Sequence, residues 1–429
     1  MPFEQLPLAP RHIAVVGGGI SGMGAAWLLS GGNRVTLFEA EPRLGGHART
    51  VLAGRRGEQP VDTGFIVFNY QNYPNLARLF AALDVPVTKS NMSFAASVGD
   101  GWLEYSMRSF HSVLCQPRNA LRPGFWAMIA DILRFNARAL AAVEADPDLT
   151  LGGLFDRLGV GPWFRQHYFL PISGAIWSTP VERMTEFPAR TLIDFFRNHA
   201  LLQARGQHQW FTVNGGSVEY VRRLEASLRA RGIEIRTGAP VASVRRAPEG
   251  VWLRAAGGVE ERFDEVVLAT HTDVSLAMLA DAEPEERAAL AAIRYQPNEA
   301  VLHADPHMMP RRRACWASWN YVSHSRTPGA SIPLTYWMNS LQPIPADDPL
   351  FVTLNPERSP REELVHDVTT FHHPVYDRAA LDARAVLRAR QGQRGTWFCG
   401  AWMKNGFHED GLASAVDVAE ALGAVPAWA

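Results

Sequence analysis

Short apolar runs that end in glycine alternate with longer stretches of helical periodicity along this chain. In "HIAVVGGGISGMGAAWLL" residues Ile13 to Val16 are apolar throughout, as a central parallel strand requires, and a helical pattern follows the glycines. "RVTLFEA" predicts a second strand that ends in Glu39 and Ala40. Further on, "GIEIRTGAPVASVRR" reads as a strand, a turn and a new strand from Val241. "FDEVVLATHTDVSLAML" gives another strand, and a last one closes at Gly400 before an amphipathic helix expected to begin near Gly411. "GFWAMIADILRFNARALAAVEA" is a long helical pattern, apolar enough to cover a pocket or touch a membrane surface, with core packing as the favoured role. The proline-rich piece from Leu341 to Pro349 reads as a loop, and no internal repeat is visible.

At 429 residues the chain is long enough for two or three domains. Its formal net charge of -1 gives no bulk attraction to nucleic acid or to an anionic membrane. The 13 Trp and 21 Phe are enough to line a wide apolar pocket, although most are expected in the core. Cys115, Cys315 and Cys399 have no paired spacing, which argues against a disulfide framework and a thiolate metal site and fits a reducing compartment. "MPFEQLPLAPRH" lacks the apolar region of a secretion signal, and no run reaches the ~18 apolar residues of a membrane span. The expectation is a cytoplasmic protein.

Gly17, Gly19 and Gly22 fill G-x-G-x-x-G between a predicted strand and helix. The first permits the tight turn, the second lets backbone approach a pyrophosphate and the third allows close packing of helix on strand. The helix start at Ile20 and Ser21 would offer free N–H groups to the phosphates. Glu39 follows Gly17 by about 20 residues, the usual interval to an acid that binds the ribose. A dinucleotide site follows from these features together.

Which dinucleotide is read by resemblance. Arg43, Gly45 and Gly46 in "FEAEPRLGGHART" resemble the second fingerprint of flavoproteins of the amine-oxidase and phytoene-desaturase type. "VDTGFIVFN" resembles the segment that passes beside the flavin there, making Thr63, Gly64 and Phe65 candidate neighbours, and Val241 stands where that family's backbone meets adenine. His271 departs from the glycine expected after Ala269 and Thr270. The resemblance implies FAD, with the Gly411 and Leu412 N–H groups against the flavin. Covalent relatives carry a cysteine before the last helix where His408, Glu409 and Asp410 stand here, so the FAD is expected to be non-covalent and Cys399 a buried thiol. The implied fold is α/β: a discontinuous Rossmann-like FAD-binding domain from 1–75, 210–285 and 390–429, with a mixed α+β substrate domain from 76–209 and 286–389.

"GFIVFNYQNYPNLARLF", "SGAIWSTP", "FFRNHALLQ", "QWFTVNGGS", "WASWNY", "LTYWMNSLQ" and "GFHEDGLASA" narrow the resemblance. They are similar to bacterial NAD/FAD-binding oxidoreductases that also resemble the N-terminal flavin domain of plant cyclopropane-fatty-acid synthases; the methyltransferase half is absent here. That resemblance implies oxidation or desaturation of methylated, unsaturated acyl chains of phospholipids, as in furan fatty acid synthesis, with a lipid methyltransferase as partner and contact with the inner face of the membrane. An amine oxidase, a carotenoid-type desaturase and a non-catalytic flavin-bearing partner of the methyltransferase are the competing readings. An acyl substrate calls for an apolar tunnel, with Trp177, Phe195, Trp210, Trp316, Trp319, Tyr336 and Trp337 as candidates, and for a base, with His408 ahead of Tyr336. His372 and His373 would point apart, and His303 and His307 are separated by Pro306, so neither pair reads as a metal site. Arg311 to Arg313 in "PRRRACW" read as a solvated basic turn, with a phospholipid headgroup as the alternative.

Overall fold

The computed structural model describes residues 10–177, 185–199, 202, 208–327 and 333–424. Five parallel strands form one sheet in the order Thr396–Phe398, Glu265–Leu268, His12–Val16, Arg34–Phe38, Glu234–Arg236. His12–Val16 is central because both of its faces are covered: Ile13, Ala14 and Val15 have no exposed area. The chain leaves it first toward Arg34–Phe38 and only later adds Glu265–Leu268 on the other side. That reversal opens a crevice at the carboxyl end of the central strand, where the glycine turn lies.

The helix Ile20–Leu29 after that turn is buried along all ten residues. Its heaviest packing is on the last helix, His408–Ala421. Gly24 makes this approach possible, because a Cβ there would sit 2.5 Å from Leu412 Cδ1. A second, seven-stranded mixed sheet runs Val365–Pro374, Tyr295–His303, Phe351–Leu354, Leu334–Trp337, Trp319–Ser323, Phe94–Val98, Leu103–Ser106. The parallel sheet is thus assembled from the 1–75, 210–285 and 390–429 stretches, and the mixed sheet from 76–209 and 286–389. The helix Pro74–Ala82 crosses that division: Leu76, Leu79 and Phe80 join the core around the first and last helices.

The long apolar pattern forms the helix Pro123–Ala145, which buries Phe125, Met128, Ile132, Phe135, Ala139 and Val143 in the core of the substrate side. Among the described residues no helix is long and apolar enough to cross a membrane. The cysteines correct the sequence reading: Cys115 and Cys315 form a disulfide, with Cα atoms 5.5 Å apart. Their separation of 200 residues hid the pair, since only the packing of the Leu103–Ser106 hairpin region against the turn at 313–315 brings them together. A disulfide does not fit the reducing compartment expected from the cysteine count. Cys399 is fully buried, and burial pushes its thiol up to about 12.

Candidate functional site

Two glycine loops lie side by side at the crevice. The Gly45 N–H donates to the Gly18 carbonyl at 2.8 Å, and a Cβ on Gly46 would sit 3.1 Å from Gly19 Cα. Gly45 and Gly46 take φ of 114° and 54°, the left-handed region that favours glycine. Arg43 holds this loop from outside, donating to the carbonyls of Gly46 (3.1 Å) and Ala48 (3.4 Å) and pairing with Glu41. A Cβ on Gly22 would overlap the Gly17 carbonyl oxygen, so only glycine lets the helix close on the turn.

The first turn fits a pyrophosphate. A Cβ on Gly19 would meet nothing within 4 Å, which leaves a cradle in front of the backbone. No side chain caps the helix at Gly19, so the leading N–H groups at Ile20, Ser21 and Gly22 face that cradle with the positive end of the helix dipole. Glu39 stands at its edge, accepting from the N–H groups of Gly18 (2.5 Å) and Glu41 (2.7 Å) with lone pairs to spare for ribose hydroxyls. Ala40 is exposed just beyond it. The turn before Val241 is hydrogen-bonded to this edge, through Gly238 N–H to Glu41 O (2.8 Å) and Ala239 N–H to Glu39 O (2.9 Å).

Deeper in, Thr63, Gly64 and Phe65 run against the second loop. The Thr63 N–H donates to Arg49 O at 2.9 Å and the Phe65 N–H to His47 O at 3.0 Å, while a Cβ on Gly64 would overlap that His47 carbonyl. Phe65 stacks on His408 with centroids 4.0 Å apart. His408 Nε2 lies 2.5 Å from the Tyr220 hydroxyl. His47, His271, His373 and His408 each keep some accessible surface, yet protein surrounds them so closely that desolvation dominates their ionisation. It lowers His47 and His408 to about 3 and His373 to about 4. Close packing thus keeps these four imidazoles neutral. Burial also raises Tyr220, so its hydroxyl stays protonated beside the neutral His408, and the imidazole tautomer sets which of the two donates.

Asp62, next to Thr63, ties the two sheets' regions together. It accepts from Thr50 Oγ1 (2.6 Å), the Ser217 N–H (2.8 Å) and Oγ (2.7 Å), and Gln342 Nε2 (2.9 Å), while its own N–H donates to Gln342 Oε1. Desolvation raises its carboxyl to about 6 although each of these bonds favours the ionised form.

The last helix corrects the expected boundary. It starts at His408, not near Gly411, and Asp410 accepts from the Phe407 N–H at 2.9 Å. The Gly411 N–H is spent on Phe407 O, and Leu412 lies a residue further inside the helix. The leading N–H groups are therefore those of His408, Glu409 and Asp410. Gly411 matters for packing instead. A Cβ there would come within 3.0 Å of Ile20 and Ser21, so its absence brings the two helix starts together. Gly400 donates to Ser414 Oγ at 2.8 Å and fixes the preceding strand on this helix.

The aromatic candidates do not share one wall. Phe195 stacks on Phe407 (4.9 Å) and on His199 (3.8 Å), and His199 lies parallel to Trp210 at 6.4 Å. Trp319 and Tyr336 pair across the mixed sheet with rings 5.2 Å apart, and burial raises Tyr336. Trp316 and Trp337 form a separate cluster with Phe351 and Met309, with Arg313 over both indoles. They pack there and not with the Phe195 group. Trp177 ends the helix Leu170–Trp177, and its side chain lies outside the described residues, as does part of "AIWSTP". His47, His199, Tyr220, Asp62 and Phe407 were missed. His47, Asp62, His199 and Phe407 stand inside recognised motifs, but which of them meet is set only by the fold, and Tyr220 lies outside every such motif.

The family model of flavin-containing amine oxidoreductases matches residues 20–304. An L-amino-acid oxidase from Gloydius blomhoffii is 47% identical over 49 residues, which are 11% of this chain and 10% of that protein. One from Gloydius halys is 55% identical over 42 residues, 10% of this chain and 8% of that protein. The matched stretch thus covers a small part of those relatives. A fatty acid isomerase from P. acnes superposes with a TM-score of 0.70 at 15% identity, over 96% of this chain and 98% of that one. Cyclohexylamine oxidase from Brevibacterium oxydans gives 0.68 at 16%, over 96% and 100%. At these identities the likeness is one of fold, and it is the amine-oxidase-like α/β fold.

Proposed function

The chain belongs to the flavin-containing amine oxidoreductases and is a flavin-dependent oxidoreductase; from that premise we propose that it uses non-covalent FAD to desaturate or oxidise methylated, unsaturated fatty acyl chains of phospholipids. The observation that carries the acyl reading is the wall of Phe195, His199, Phe407 and Trp210 leading to the start of the last helix, aromatic and uncharged. His199 stays neutral there because burial lowers it to about 4. The nearby carboxylates are already engaged: Glu409 accepts from Asn75 and Leu76, and Asp410 from Phe407. An ammonium group would find no free anion among these residues, whereas an acyl chain needs none. One fold neighbour is a fatty acid isomerase, so the architecture is compatible with such a substrate.

Bound FAD supplies a hydride acceptor. In this reading Gly19, Ile20, Ser21 and Gly22 hold its pyrophosphate, and Glu39 its ribose. Gly46, Thr63, Gly64 and Phe65 flank the ring system, and the N–H groups at the start of the last helix offset negative charge. Cys399 is a buried thiol that burial keeps protonated, which agrees with a non-covalent cofactor. His408 is a weak base. A carbon next to an allylic cation is a strong acid, so a neutral imidazole that donates its Nε2–H to the Tyr220 hydroxyl and keeps the Nδ1 lone pair would be sufficient to take its proton. Tyr336, which burial keeps protonated, is the poorer choice of base.

Anaerobic mixing with phospholipids bearing methylated unsaturated chains tests the proposal, with amines and carotenoid precursors alongside. Bleaching of the visible flavin band by the lipids alone is the expected result. Bleaching by an amine instead would move the assignment to the amine oxidases, the alternative that the family match favours. No bleaching by any of them would favour a flavin-bearing partner of a lipid methyltransferase.

A further inference from the structure

A cleft rich in arginine lies away from the flavin crevice. The hairpin between Phe94–Val98 and Leu103–Ser106 turns at Gly99, Asp100 and Gly101, and beside it a cleft of about 510 Å³ is lined by Trp102, Arg118, Arg311, Arg312 and Arg326. Trp319 pairs with Phe94 and Ser323 with Val98. The cleft is therefore about 13 Å along the strands from the Trp319–Tyr336 end.

Its charge is undercompensated in a chain whose net charge is -1. Buried Glu104 accepts from the Arg311 N–H and from Arg312, both at 2.6 Å. Asp100 is shared among His324 (2.7 Å), Arg311 (3.7 Å) and Arg358 (3.9 Å). Arg118, Arg122 and Arg326 have no carboxylate partner among the described residues. Arg118 donates to the Gly101 and Trp102 carbonyls, and Arg122 and Arg326 both lie over Trp102, at 4.8 and 4.9 Å. Burial lowers Arg122, and the charges of Arg118 and Arg326 lower it further. The Cys115–Cys315 disulfide fixes the segment of Arg118 and Arg122 to that of Arg311 and Arg312.

A second feature adjoins the cleft. Arg122 precedes the helix Pro123–Ala145, whose inner face is already committed to the core. Its outer face is apolar as well: Trp126, Ala130, Leu133, Ala137 and Ala141 are exposed at helical spacing. Trp126 is 46% and Leu133 60% exposed, and Leu121 in the turn before them is 87% exposed. The stripe is about 22 Å long. A helix apolar on both faces, with one face in the core, requires an apolar partner for the other.

We infer that this face docks on an anionic phospholipid surface, with headgroup phosphates in the arginine cleft and Leu121, Trp126 and Leu133 in the acyl boundary. The guanidinium groups supply the charge complement, and the stripe supplies the buried apolar area of an interfacial helix. The inference goes beyond acyl oxidation and does not depend on it.

Sedimentation of the intact flavoprotein with vesicles of dimyristoyl phosphatidylglycerol tests it, and the saturated chains keep oxidation out of the readout. Binding is expected, and it should weaken about tenfold on dimyristoyl phosphatidylcholine vesicles or in an Arg118→Gln/Arg326→Gln variant. A Leu121→Ser/Leu133→Ser variant should lose a similar factor, and Val259→Ser, at an exposed apolar residue elsewhere, should lose none. Absence of wild-type binding, equal binding to neutral and anionic vesicles, or unaffected cleft and stripe variants would overturn the inference. The wild-type comparison needs no substitution, so it decides even if a variant fails to fold.

Discussion

At position 19 a side chain has room within the protein but none beside a pyrophosphate. Gly19→Val should therefore leave the thermal transition near that of the apoprotein and abolish flavin binding, read as loss of visible absorbance after purification. A yellow, fully loaded variant would place the cofactor elsewhere. Gly22→Ala should behave differently, failing to fold, because its methyl would overlap the Gly17 carbonyl. His408→Ala should keep the flavin and slow its reduction, while the buried Tyr220 hydroxyl left without a partner costs about 1–3 kcal/mol of stability; an unchanged reduction rate would remove His408 from the chemistry. The glycines and Glu39 were legible in the sequence because their constraint is local: a turn, a close approach, an interval along two strands. Tyr220, His199 and Phe407 were not, because Tyr220 meets His408 and His199 and Phe195 meet Phe407 only across nearly two hundred residues or more of chain.

Secondary elements were read well where the periodicity was long and poorly where a cap decided the boundary. Gly411 suggested that the last helix begins there, yet Asp410 caps Phe407 and the helix starts at His408. The helix Pro123–Ala145 was recognised as apolar, but periodicity alone did not separate its buried face from its exposed one. Tryptophans drawn into one tunnel by type were divided among three packing sites by the strands that carry them. The disulfide was beyond reach, since cysteines 200 residues apart give no spacing signal. Cutting it should lower stability by about 2–4 kcal/mol through the long loop it closes. Comparing thermal unfolding of the wild type with Cys115→Ser/Cys315→Ser checks this; coincident transitions would show that the thiols are not joined in solution.

For the molecule as a whole, the buried histidines set the response to acid. His47 and His408 titrate near 3 and His167, His199, His303 and His373 near 4 in the folded chain, all lowered by desolvation. Below about pH 6.5 the unfolded chain binds protons that the folded one refuses, so their stabilisation is complete above that pH and is lost as pH falls. Asp62 opposes them, because its raised carboxyl binds a proton first in the folded state as pH drops through about 6. Desolvation raises the carboxyls of Glu409 and Asp410 as well. Six histidines outweigh these three carboxyls, and the melting temperature should fall between pH 7 and pH 5; a flat or rising profile would mean that these rings are hydrated. The α/β class was readable because the central parallel strands His12–Val16, Arg34–Phe38 and Glu265–Leu268 each carry an apolar run and a turn. The pairing of the first helix with the last was not, since nothing near residue 24 announces Leu412. That pairing has a consequence in time. A ribosome delivers the all-buried segment Ile20–Leu29 nearly four hundred residues before its covering helix. Until that helix emerges the nascent chain must carry an apolar segment without its native cover, and shielding the segment over that interval is a requirement the topology places on the cell.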